Sequence, residues 1–310
     1  MNKIHALILR VIIALILITF LLLQVNWHDF HDSIVHAKKV FLLCGGLMFF
    51  VGVLVSVLRW QIFLDDVYKS ITTMKLYVIY LKANFINNFL PTSIGGDIYK
   101  VMSMSDNSED RMRILGSIIL DRGISLFLLY LINIILTFYY FDFIITNKPM
   151  LMLQIFVIFG PLFALVLLKF LPKNSLLLNY KLTQIIIAKL SKLFSILKLT
   201  NKFSLLKALF ISLVFTTLVA FSQYLYFAGY GVDIPFTYVF FVSVLLQLVS
   251  IIPISFNSIG VTESLGVYLL FAYGIPLEIA LAVLLSARII GILSSLFGGL
   301  LFLRSTSSKT

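Results

Sequence analysis

Cysteine occurs once in 310 residues, at Cys44 inside an apolar run. A single thiol excludes an intramolecular disulfide and any site built from several thiolates, so Cys44 reads as a small packing hydrophobe. Charge is also scarce. Asp, Glu, Lys and Arg make up 12% of the chain, against about 25% in soluble domains. Acidic residues are the scarcer sign, 13 against 24 basic ones, for a formal net charge of +11. No HExxH helix, GxSxG elbow, P-loop or Rossmann fingerprint occurs. The sequence therefore carries no zinc-hydrolase, serine-hydrolase or nucleotide-binding signature. No metal or cofactor is expected, nor direct coupling to ATP.

What fills the chain instead is apolar: 61% of residues are hydrophobic, against about 45–50% in soluble domains. This composition predicts an integral membrane protein. A net charge of +11 would point to nucleic acid in a soluble domain. Here the excess collects between apolar runs, as Lys and Arg do in cytoplasmic loops, and no nucleic-acid partner is expected.

A membrane-spanning helix needs about 20 mostly apolar residues. The runs Ile4–Leu23, Val40–Leu58, Ile114–Phe141, Leu151–Leu168, Ala208–Val232 and Leu277–Leu303 fit that length. No small-residue cleavage site follows the first run, which reads as a retained span with Trp27 at the interface. Ile234–Thr262 reads as a span that breaks near its end, and Glu263–Tyr273 completes a crossing after the break. Tyr77–Gly96 is too polar for a lipid-facing helix and reads as re-entrant, which is tolerated where protein or water surrounds the backbone. In Asn179–Lys207, lysines interleave with Leu, Ile and Phe. This predicts an amphipathic helix on an anionic membrane surface, with a solvated basic linker as the alternative. Basic residues near Lys3–Arg10, Arg59–Lys82, Lys100–Arg113, Lys173–Lys207 and Arg304–Lys309 then fall on one side. The expected fold is an all-α polytopic membrane protein: one membrane domain over 1–310, about eight transmembrane helices plus re-entrant or broken segments, both termini cytoplasmic, in a cell membrane.

Two polar segments interrupt the apolar chain. One runs from Asn87 through Asn88, Pro91, Ser93, Gly95 and Gly96 to Asp97, and the other from Pro253 through Ser255, Asn257 and Gly260 to Glu263. Each holds a proline, hydroxyls, a Ser-Ile-Gly triplet and a closing carboxylate. Proline breaks a helix, and a carboxylate after the break suits the positive end of the next one. Asp97 precedes Arg122 by 25 residues, and Glu263 precedes Arg288 by the same 25. This spacing reads as a weak internal duplication with halves 1–141 and 151–303, of the kind that places transporter sites between repeats.

An arginine near the bilayer centre costs about 2.5–3.5 kcal/mol on insertion scales and usually faces an interior or an aqueous path. Arg288 has nine uncharged residues before it and fifteen after. Two readings stand: internal ion pairs, Arg288 with Glu263 and Arg122 with Asp97, or arginines that bind phosphate, whose geometry guanidinium matches. Lys100 joins the phosphate reading, and Asn84, Asn87, Asn88, Ser93, Ser255 and Asn257 supply uncharged polar lining. Gly291, Ser295 and Gly299 lie on one face of the last span and read as close packing. His28, Asp32 and His36 share a helical face and form the sole cluster with metal-ligand residue types, read mainly as a polar loop.

These segments resemble the flippase-like transmembrane family known from the membrane region of lysylphosphatidylglycerol synthases. The resemblance rests on Asn87 through Lys100, with its Phe-Leu-Pro-Thr-Ser-Ile-Gly-Gly-Asp core, on Pro253 through Glu263, and on the span pattern. Two departures stand out: Lys100 where the family often has arginine, and Ser258 where glycine is common. The resemblance implies movement of an anionic or polyprenyl-phosphate-type lipid between leaflets. It implies no enzyme activity for this chain, because only a few residues follow Leu303 and the soluble aminoacyltransferase domain of bifunctional members is not among them. The alternative is a lipid-binding scaffold subunit for a lipid-modifying synthase or glycosyltransferase.

Overall fold

A computed structural model describes residues 3–64, 71–89, 95–105, 107–170, 201–252 and 254–307. Every regular element among them is helical: α1 (Lys3–Gln24), α2 (Trp27–His36), α3 (Lys39–Gln61), α4 (Thr73–Phe89), α5 (Gly95–Met104), α6 (Ser108–Tyr139), α7 (Phe141–Thr146), α8 (Lys148–Phe170), α9 (Lys202–Gly229), α10 (Phe236–Ser250), a 3-10 turn (Phe256–Ser258), α11 (Val261–Ala272) and α12 (Leu277–Ser307). Among the described residues, four helices are long and apolar enough to cross a membrane: α3, α6, α9 and α12. The pair α1–α2, bent by 92°, passes jointly as a fifth. The remaining spans expected from the sequence correspond to shorter or broken helices, including α10 and the Lys148–Pro161 part of α8.

The chain is an all-helical polytopic membrane protein. Large apolar side chains stay exposed along the helices, among them Leu43 and Leu47 on α3, Phe138 on α6 and Phe210 on α9. Contiguous surface of that kind is a liability in water and costs nothing in lipid.

Local chemistry explains where the boundaries differ from the sequence reading. The helix that holds the third span starts at Ser108, before the apolar run at Ile114: the Asn107 side chain accepts from the Asp110 N–H at 2.9 Å, and Glu109 and Asp110 occupy the positive first turn. Lys202–Lys207, read as the end of a surface helix, are instead the first turns of α9. Asn201 caps them by accepting from the Phe203 N–H at 3.1 Å, and the Lys207 ammonium lies 4.5 Å from the Phe203 ring centre. Residues 179–200 of that expected surface helix lie outside the described residues. Arg59, counted with a cytoplasmic loop, belongs to α3 and is buried, at 5% exposure.

Helix α3 packs most extensively on α9, and α4 on α12, while α12 also touches α3 and α11. The α4–α12 seam is tight because Gly298 meets the Leu81 carbonyl oxygen where any Cβ would collide. The main core lies where α10, α11 and α12 meet, around Tyr238, Phe241, Leu245, Leu269 and Leu281. Tyr238 stacks on Tyr273 with centroids 3.9 Å apart and donates to the Leu269 carbonyl at 2.6 Å. That bond matters because a buried hydroxyl left unpaired costs about 1–3 kcal/mol.

Candidate functional site

Each polar segment joins two helices. In the first, α4 ends at Phe89 and α5 starts at Gly95 and packs back on α4; Pro91 and Ser93 lie outside the described residues. The Gly96 N–H donates to Asn87 Oδ1 at 2.7 Å, which satisfies a helix-start donor that has no partner of its own. In the second, α10 stops at Ser250 and α11 starts at Val261. Between them Asn257 and Ser258 hold positive φ, 46° and 57°, and Gly260 holds 83°. Gly260 is required twice: its φ disfavours any side chain, and a Cβ there would sit 3.0 Å from the Ala14 carbonyl oxygen.

Both carboxylate–arginine pairs spaced by 25 residues form. Arg122 Nη2 lies 2.6 Å from Asp97 Oδ2, and Arg288 Nε donates to Glu263 Oε1. Arg288 Nη2 also donates to Thr262 Oγ1 at 2.6 Å. Glu263 forms one half of a capping box, its Oε2 accepting from the Gly260 N–H at 2.7 Å. Arg288 Nη1 makes no hydrogen bond among the described residues, and the Arg288 side chain is 23% exposed.

Asp97, Lys100 and Arg122 form their own cluster, away from the second segment. The Lys100 ammonium is buried 3.4 Å from the Tyr80 ring centre and 5.4 Å from that of Trp60, with Asp97 Oδ1 at 3.8 Å. Its charge is met by ring faces and a carboxylate, a desolvated cation–π arrangement. The Arg122 side chain is half-exposed.

Two cavities of about 400 and 360 Å³ lie between the helices. The first is enclosed by α3, α4, α9 and α12 and carries Arg59, Tyr80, Asn84 and Asn87. The second adds α10 and α11 and carries Gln247, Thr262, Glu263 and Arg288. Phe49, Asn88, Gln223 and Gly291 line both, so the two are adjoining lobes. Each lobe has the size of a small-molecule site. Of the residues singled out from sequence, Asn84, Asn87, Asn88, Glu263 and Arg288 line it. Gly95, Gly96, Asp97, Lys100, Arg122, Ser255, Asn257 and Gly260 do not; they shape or brace the two breaks. Ser255 is buried, and its hydroxyl has no partner among the described residues.

Helix α12 ties the broken segments together. Arg288 reaches α11, and one face farther along Ser295 accepts from Asn88 Nδ2 at 2.8 Å. Gly299 packs on Phe85, as the small-residue pattern predicted. Gly291 differs from that prediction: a Cβ there would meet nothing within 4 Å, because the position faces the cavity.

Sequence reading missed a third pair. Arg59 Nε and Nη2 donate to the two oxygens of Asp121 at 2.6 and 3.1 Å, and Nη1 donates to Ser212 Oγ at 3.3 Å. It also missed Gln223 and Gln247, although a glutamine inside an apolar span is itself a signal of an interior face. On α2, His36 Nδ1 contacts its own helix at the Asp32 carbonyl, and no group of three or more His, Cys, Asp or Glu among the described residues is arranged to hold a metal ion.

Fold and site define a polytopic helical membrane protein with polar cavities between its helices. The family model described as the lysylphosphatidylglycerol synthase TM region matches residues 7–299, and the chain belongs to that family. The match makes this a lipid-associated membrane domain. Among curated proteins and among solved structures, nothing matches the chain.

Proposed function

We propose that this protein moves a phosphate-bearing lipid between the leaflets of a cell membrane, with the two-lobed cavity as the headgroup path. One observation carries the reading: Arg288, mid-span on α12, lines the cavity with Nη1 unbonded among the described residues while Glu263 and Thr262 fix the rest of its guanidinium. A mid-membrane guanidinium held in place by a carboxylate, with N–H groups left over, suits a phosphate oxygen as its next partner. Neutral amides from Asn84, Asn87, Asn88 and Gln223 supply hydrogen bonds along the path without trapping an ion. The repeated 25-residue carboxylate–arginine spacing supports the same reading, because repeat transporters hold substrate where broken helices meet. The distribution of Lys and Arg supports cytoplasmic termini. Chemical turnover of the lipid is no part of this proposal.

The test is reconstitution of the purified protein in liposomes holding labelled anionic and polyprenyl-phosphate lipids, with inner-leaflet label followed as it reaches the outside. Wild type alone is expected to move at least one of them, and correctly inserted Arg288→Ala to slow that movement more than about tenfold, the scale of one charge-assisted hydrogen bond. Full transport by Arg288→Ala would reduce Arg288 to bracing. No transport of any lipid would favour a scaffold that needs a partner transferase.

A further inference from the structure

We infer that α2 is a membrane-surface helix, docked through Trp27, Ile34 and Val35 on the lipid headgroup layer of the leaflet where α1 ends. The argument starts from a bend. Helix α1 has 22 residues, a length of about 33 Å, enough to cross a hydrocarbon core of about 30 Å unaided. Helix α2 leaves it at 92°. A helix at a right angle to a completed span lies in the plane of the membrane.

Exposure then divides α2 into three sectors. The first faces protein: Phe30 and Ser33 are half-buried, α2 packs on α12, and Phe30 rests on the main core. On the second stand Trp27, Ile34 and Val35, all exposed, within an arc of about 100° at 3.6 residues per turn. On the third stand His28, Asp29, Asp32 and His36, also exposed, with His28 Nδ1 3.5 Å from Asp32 Oδ2. Protein beside, an apolar face below and a charged face above is the disposition of an interfacial helix at the margin of a bundle. The apolar sector continues the exposed apolar surface of α1, at Phe20 and Leu23. It also includes His31, which suits headgroup depth and not the acyl region. Tryptophan favours that same depth. Lys38 and Lys39, exposed just past α2, stand apart from the basic segments read as cytoplasmic; beside lipid phosphates they serve as interfacial anchors. The body holds α2 at both ends: the Asn26 N–H donates to Glu278 Oε1 at 3.3 Å, and the Lys38 N–H to the Gly229 carbonyl at 2.8 Å. Because α1 packs on α11 and the 3-10 turn, docking of α2 also sets the tilt of the helix behind Gly260.

The experiment uses the purified full chain in vesicles of phosphatidylglycerol and phosphatidylethanolamine, with Cys44→Ser as background. Asp29→Cys places one thiol on the charged sector, and Ile34→Cys places one on the apolar sector; both positions are exposed, so neither change touches the core. Freeze–thaw opens the vesicles so that a charged maleimide reaches both surfaces. Asp29→Cys is expected to react at least about tenfold faster than Ile34→Cys, because the hydrated thiolate is the reactive form. Lipids brominated near the headgroup end are expected to quench Trp27 emission more than lipids brominated mid-chain, and Trp27→Phe to abolish that difference while buried Trp60 stays. Fast reaction at both sites would leave the apolar sector free for a protein partner and overturn the proposal. Slow reaction at both, or stronger quenching from mid-chain, would put α2 inside the bilayer as the second half of a broken span and overturn it as well. None of these outcomes depends on whether the protein moves lipid.

Discussion

Arg59–Asp121 and Arg288–Glu263 are both arginine–carboxylate pairs inside the membrane domain, yet they are built differently. Arg59 uses all three of its nitrogens, two on Asp121 and one on Ser212, and joins α3, α6 and α9 within unbroken helices. Arg288 leaves Nη1 over, and its carboxylate sits at the start of a helix that follows a strained turn. The closed pair is a clamp. The open pair is held in geometry and retains capacity for one more partner. The same residue types give opposite roles because bonding capacity, not charge, differs between them.

The largest expected effect breaks the clamp. Removing one member of a buried pair leaves the other charge unpaired and costs about 3–5 kcal/mol. Arg59→Ala is expected to lower unfolding stability in mixed micelles by that amount. Replacing both members, Arg59→Met with Asp121→Leu, is expected to restore most of it, since apolar substitutes of similar volume are often neutral. A double variant as unstable as the single one would show that Arg59 does more than balance Asp121.

Arg288→Ala is expected to cost less, about 1–3 kcal/mol, because Glu263 keeps the Gly260 N–H. The comparison sharpens if this variant loses lipid movement while staying folded, and it collapses if the two arginine variants lose equal stability. Two glycines on α12 repeat the contrast on a smaller scale. Gly298→Ala pushes a methyl into the Leu81 carbonyl and is expected to cost about 1–3 kcal/mol as overpacking. Gly291→Ala meets open space and is expected to change stability by less than about 0.5 kcal/mol. Equal losses in the two would place Gly291 in a packed seam instead of a cavity wall.

Much of this was legible in the residues. The apolar runs located the long helices, and glycine followed by a closing carboxylate marked the helix starts at Gly95 and Val261. The repeated spacing from Asp97 to Arg122 and from Glu263 to Arg288 picked out the residues that pair, and the ion pairs were one of the two readings left open. Arg59 was not legible, because one charge at the end of an apolar run looks the same whether it enters a loop or turns inward. Only Asp121 and Ser212, brought in by α6 and α9, decide it. Lys100 was misleading for a related reason: a lysine beside Gly-Gly-Asp suggests a ligand contact, but Tyr80 and Trp60, from different helices, enclose it. Which of the polar residues line the cavity depended on how α12 is rotated against α4 and α11, and neither composition nor spacing carries that angle.

The smallest expected effect concerns the turn beneath the open pair. Ser258 holds φ of 57°, a conformation that costs an ordinary L residue about 1–2 kcal/mol, and its hydroxyl donates to the Ser250 carbonyl at 2.8 Å. Substitution by Ala or by Gly deletes that bond equally, so the difference between the two variants isolates the backbone strain. Gly is expected to be more stable than Ala by about 1 kcal/mol, read from their unfolding midpoints in the same micelles. Equal midpoints would mean that the turn relaxes at no cost. The open pair would then owe its geometry to the Gly260 N–H bond at Glu263 alone, and the strained turn would cease to distinguish it from the clamp.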